Sequence, residues 1–138
     1  MMMDEEILDT FADEVASLKP KLTAAVQALQ NNINQPEEFM NFAQVIDGIY
    51  GTAMTLGFIE MGEYTGILRE MCRKCGATHY PRAMTAVLKM MVRCLERFDE
   101  LNASIKNPAK LIEINKQITT ETTKAKILVK EIFEFSKS

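Results

Sequence analysis

The chain has 138 residues, 47% of them hydrophobic and 25% charged, with a net charge of −3 and a pI near 5.3. That size and balance fit one folded domain with a real core and exclude a largely disordered chain. There is no Lys/Arg block, and no apolar run reaches the ~20 residues of a membrane span, so neither nucleic acid nor a membrane is the expected partner.

Apolar residues recur at steps of three and four nearly throughout, which is the period of an α-helix. Five helical segments follow from it. The first covers about 4–31 and carries Leu8, Phe11, Val15, Leu18, Leu22, Ala25 and Leu29 on one stripe. Pro20 lies inside it and predicts a kink near Leu18 or a short break, because proline removes a helix hydrogen bond and costs ~3 kcal/mol in an interior position. The second begins at Pro36, with Glu37 and Glu38 suited to the positive helix end. Phe39, Phe42, Ile46, Ile49, Ala53 and Leu56 follow in a 3-4-3-4-3 rhythm, and Gly57 closes it. The third covers about 59–75, with Met61, Tyr64, Leu68, Met71, Cys72 and Cys75 inward and Gly76 as its cap. The fourth starts near Pro81, carries Met84, Val87, Met91, Cys94, Phe98, Leu101 and Ile105, and stops at Asn107-Pro108. The fifth carries Leu111, Ile114, Ile118, Ala125, Leu128, Ile132 and Phe135. Its β-branched middle, Ile118 to Thr123, is a weaker helix former. Short connections favour antiparallel neighbours. The expected fold is all-α and a single domain: an antiparallel four-helix bundle over about 4–106, with an additional C-terminal helix over about 108–136.

Met1-Met2-Met3 followed by Asp4, Glu5 and Glu6 has neither the positive charge nor the apolar run of a secretory signal. Three cysteines form no even disulfide set. A reducing cytoplasm is therefore the expected location.

Residues Val45 to Phe58 read V-I-D-G-I-Y-G-T-A-M-T-L-G-F. This stretch resembles the signature helix of histidine phosphotransfer (HPt) domains, roughly H-x-[LI]-K-G-x-[AS]-x-x-[LF]-G. It is closest to the phosphotransfer domain of CheA-type chemotaxis kinases. Ile49, Gly51, Ala53 and Leu56-Gly57-Phe58 match, and Ile7 to Glu14 resembles the start of such domains. The resemblance implies a four-helix bundle with a fifth helix and a place in two-component phosphorelay signalling. Two positions depart from the pattern: Asp47 stands where the phospho-accepting histidine would be, and Tyr50 stands at the lysine. The family's chemistry needs an imidazole nitrogen as nucleophile and a cation to offset the phosphoryl charge, and the matching positions supply neither. The resemblance therefore implies a pseudo-HPt module with no enzymatic activity and no cofactor. It would dock a response-regulator receiver domain or a histidine kinase element.

Helix geometry alone places Asp47 off the apolar stripe, at ~100° per residue, facing solvent. Met40, Gln44, Gly51, Met54 and Phe58 lie on its flank, and Gly48 adjoins it. Gly48 and Gly51 each cost ~1 kcal/mol relative to alanine in a helix. They are expected to leave room either for a partner or for a neighbouring helix. The candidate docking residues are thus Gln44, Asp47, Gly48, Gly51, Met54 and Phe58. Cys72, Cys75, His79 and Cys94 have tolerable spacing for a zinc site. All three cysteines nonetheless fall on apolar stripes, where cysteine behaves as a small hydrophobe, so core packing is the expectation and no metal site is assigned. The remaining readings are a structural or oligomerising bundle unrelated to phosphotransfer, and a small zinc-binding protein.

Overall fold

The computed structural model describes residues 5–134. Among them are five α-helices, a short π-turn and no strand: α1 (Glu5–Asn31), α2 (Pro36–Leu56), α3 (Ile59–Ala77), α4 (Pro81–Ser104), α5 (Pro108–Val129) and the turn Lys130–Glu134. Among the described residues no helix is long and apolar enough to cross a membrane. Phe135, expected to face inward, lies outside the described residues.

Three helices open on proline in their first turn, Pro36, Pro81 and Pro108. The missing N–H has no intrahelical partner there, and the fixed φ already suits a helix. Asn107 caps α5 by accepting a hydrogen bond from the Lys110 backbone N–H at 3.2 Å. Between α1 and α2, Gln35 Nε2 donates to the carbonyls of Ala28 and Asn32, both at 2.7 Å, and ties down that connection.

The α2–α3 corner needs glycine. Gly57 has φ 89°. The Phe58 N–H bonds back to the Ala53 carbonyl at 2.8 Å and the Gly57 N–H to Met54 at 3.4 Å. This is a Schellman ending, and it turns the Phe58 side chain inward.

One expectation narrows at this level and another changes. Of the two alternatives expected at Pro20, the short break does not occur: helix α1 runs through it. The core residues on either side of it, Val15 and Leu22, are fully buried and hold both halves of the helix in place. Gly76 is not a cap but lies within α3, which continues to Ala77. The threonine-rich middle of α5 is helical throughout. Thr119, Thr120, Thr122 and Thr123 each donate their hydroxyl to the carbonyl four residues earlier, which satisfies the side chains inside the helix.

The helices α1, α2, α3 and α4 close a ring in which each touches its two sequence neighbours, with α4 returning to α1. Lys19 of α1 pairs with Asp99 of α4, and Glu5 pairs with Lys106 just beyond α4 at 3.7 Å. The centre is filled by Phe11, Phe39, Phe42, Ile46, Tyr64, Leu68, Met91 and Phe98, all essentially inaccessible. Helix α5 packs on α3 and α4. Beyond its end, Phe133 is buried, edge-on to Tyr80 at 5.3 Å and beneath the Lys74 ammonium.

Candidate functional site

Helix α2 presents its buried stripe (Phe39, Phe42, Ile46, Ile49, Ala53) to the core. Gln44, Gly48, Gly51 and Met54 are exposed on the other side. Among the described residues α5 does not touch α2, so the Asp47 face is not covered by the fifth helix.

Asp47 faces solvent, as helix geometry suggests, but it is not unpartnered. Its side chain is 48% exposed and engaged by α3. Arg69 Nη1 donates to Asp47 Oδ1 at 2.8 Å, and Arg73 Nη2 lies 3.7 Å from the same oxygen. Glu70 accepts from Arg69 Nε at 3.3 Å and from Arg73 Nη1 at 3.2 Å. The Arg69 guanidinium also lies over the Tyr50 ring, 4.2 Å from its centroid, a cation–π contact. Partial burial works against the Arg69 charge. The hydrogen bond to Asp47 and the nearby Glu70 and Asp47 charges outweigh it and hold the guanidinium above its ordinary value. Two carboxylates and two guanidiniums therefore balance on this face.

The glycines divide by role. A Cβ on Gly51 would meet nothing within 4 Å, and one on Gly48 would meet only Leu18 Cδ1 at 3.9 Å, an ordinary contact. Neither is needed for a neighbouring helix to approach. That function belongs to α3. A Cβ on Gly62 would overlap Met54, one on Gly76 would overlap Met40, and one on Gly66 would meet the Tyr50 ring at 3.0 Å. Met40, Tyr50 and Met54 of α2 thus lie in three notches on α3. Their partners run in the opposite order along α3, so the two helices run in opposite directions. Met40 and Met54 keep 43% and 40% of their surface exposed while doing so.

Phe58 does not belong to this face. It is buried and stacks on Phe11 with ring centroids 4.4 Å apart, because the Schellman ending directs it into the core. It also lines a groove of about 550 Å³ of mixed character, with Leu8, Ile105 and Leu111 beside Glu5, Glu60 and Lys106.

Cys72, Cys75 and Cys94 are buried, unpaired core residues. Burial pushes all three thiols up, Cys75 to about 12. A buried, protonated thiol is a poor metal ligand and a poor nucleophile. His79 is exposed on the α3–α4 connection. Among the described residues no three His, Cys, Asp or Glu side chains form a group able to hold a metal.

A second polar cluster joins α4 to α5. Arg97 donates through Nε (2.9 Å) and Nη2 (2.6 Å) to Glu121 Oε1, and through Nη1 to both Glu100 oxygens at 2.8 Å. Glu121 Oε2 is buried with no protein partner. Glu121 also lines a cavity of about 150 Å³ with Tyr64, Arg93 and Lys124.

Arg69, Glu70 and Arg73 are the functional candidates that reading the sequence missed. The available signal was the i, i+4 spacing of two arginines on the polar side of α3, which by itself describes many solvated helices. No protein-family model matches the chain, and neither curated proteins nor solved structures give a match.

Proposed function

We propose that the chain is a non-catalytic docking module of the pseudo-HPt kind, which binds a receiver domain or a kinase element through the α2 face around Asp47 and Gly51. The ring of α1 to α4 is read as an antiparallel four-helix bundle, with α5 added to its α3–α4 side. One observation carries the docking reading: Gly51 is an exposed, helix-interior glycine that no contact within the chain requires. Glycine there costs ~1 kcal/mol relative to alanine, and the bare backbone leaves room for something outside the molecule to come close. The uncovered state of this face, with Gln44, Gly48 and Met54 around it, supports the same reading.

The test is a binding panel of receiver domains from the same genome, with wild-type chain and Gly51→Arg. Arginine is a better helix former than glycine, so the variant folds, which circular dichroism and melting temperature verify. The expected result is that a receiver binds wild type and is lost on Gly51→Arg. Unchanged affinity in the folded variant sinks the docking reading and leaves a structural helical bundle as the better description. In a parallel incubation with a phosphorylated receiver carrying labelled phosphate, the chain is expected to stay unlabelled. Acid-labile label on His79 would mean that the acceptor has moved.

A further inference from the structure

We infer that Arg69 and Arg73 form a receptor for a carboxylate on the partner protein, and that Asp47 is the internal carboxylate occupying it in the free chain. The inference rests on the docking reading above and names the chemistry of its contact.

The geometry is that of an occupied receptor with capacity to spare. Both arginines approach a single oxygen, Asp47 Oδ1, and only Arg69 makes a hydrogen bond to it. Each guanidinium carries five N–H donors in a planar fork suited to a bidentate carboxylate. Here Arg69 uses Nε and Nη1, and Arg73 uses Nη1 alone. Asp47 is anchored to α2 and reaches the pair from one side, so it fills the receptor in monodentate fashion.

The receptor is also pre-organised. The Tyr50 ring supports the Arg69 guanidinium, and Glu70 touches both arginines. With Asp47 turned away into water, Arg69 and Arg73 face Glu70 alone and carry one positive charge in excess, which a partner carboxylate offsets. Asp47 is already half exposed, so its release into water needs little rearrangement. The bare backbone at Gly48 and Gly51 lies beside it on the same helix face, an open surface on which a protein can rest. An acidic partner surface fits this arrangement by charge. Asp47 then acts as a competitor for the site and not as a mimic of a phosphorylated side chain.

The two roles predict opposite outcomes for Asp47→Asn, which keeps the shape and removes the charge. The probe is a tetraglutamate peptide titrated at low salt, followed through the Arg69 and Arg73 Nε–H signals by NMR. Asp47→Asn is expected to bind the peptide several-fold more tightly than wild type, with the gain suppressed by salt. Arg69→Gln/Arg73→Gln is expected to lose binding. Should that double variant not fold, Arg73→Gln alone serves, because Arg73 is the more exposed of the two. Equal affinity for wild type and Asp47→Asn, or shifts at other arginines, overturns the inference. Peptide binding as expected with no receiver captured would instead sink the docking reading and leave the receptor standing. Receiver binding lost on Gly51→Arg but indifferent to Asp47→Asn would do the reverse.

Discussion

Replacing Gly51 by alanine is expected to stabilise the fold by about 1 kcal/mol, since the new methyl group enters open space and the helix gains propensity. The same change at Gly76 is expected to destabilise it, because the new Cβ would overlap Met40 and lie 3.2 Å from the Pro36 carbonyl oxygen, which is backbone. Urea denaturation of the two variants checks the pair, and equal effects would remove the distinction between an outward-serving and a packing glycine. The buried thiols give a pH signature. Folding raises the Cys72, Cys75 and Cys94 values above the ordinary value of 9.0, so between the unfolded and folded values the native state holds protons that the unfolded chain releases. Their contribution is complete below about pH 9 and is lost as pH rises through the folded values, reaching about 12 for Cys75. Tyr64, raised by burial from 10.0, adds to the same trend. Stability is therefore expected to fall from pH 8 to pH 10.5, with a shallower slope after Cys72→Ala/Cys94→Ala. The thiols should also resist thiol reagents until the chain unfolds.

At the scale of the elements, Pro20 is the clearest local conflict. It lacks the N–H that the helix needs, yet α1 passes through it because Val15 and Leu22 are anchored in the core. Pro20 is itself exposed, so Pro20→Ala is expected to stabilise the protein by about 1–3 kcal/mol, read as a raised melting temperature. A fall in stability would mean that α1 is shaped around the proline. All five helices were legible from the three-and-four rhythm and from Pro36, Gly57, Pro81 and Pro108, because capping and amphipathicity are local properties. The face of α2 was legible in outline for the same reason. What escaped depended on residues far apart in sequence. Gly76 read as a cap because its reason, Met40, is on another helix. Phe58 read as exposed because a continued helix would have put it outside, whereas Gly57 turns the chain first. Asp47 read as solvent-facing, which its half-exposed side chain is, but its pairing with Arg69 and Arg73 of α3 was not legible.

For the molecule as a whole, the attachment of α5 matters most. Its apolar contribution is modest, mainly Ile114, Ile118 and Ala125, and much of the specificity of its seat comes from Arg97 and Glu121. Both side chains are largely buried, so removing one strands the other. Arg97→Met alone is expected to cost on the order of 2–3 kcal/mol. Arg97→Met/Glu121→Leu should recover part of that loss, and a double-mutant cycle measures the coupling. Additive losses would show that the pair contributes little beyond its bulk. The neighbour relations carry a kinetic consequence too. Helices α1 to α4 close on one another without α5, whereas α5 rests on two of them. Helix α5 can therefore detach without opening the ring, and native-state hydrogen exchange should resolve two cooperative units. Amides of α5 would exchange through a low-energy, sub-global opening that Arg97→Met accelerates. Those of Phe42, Ile46 and Leu68 would wait for the unfolding of the whole chain.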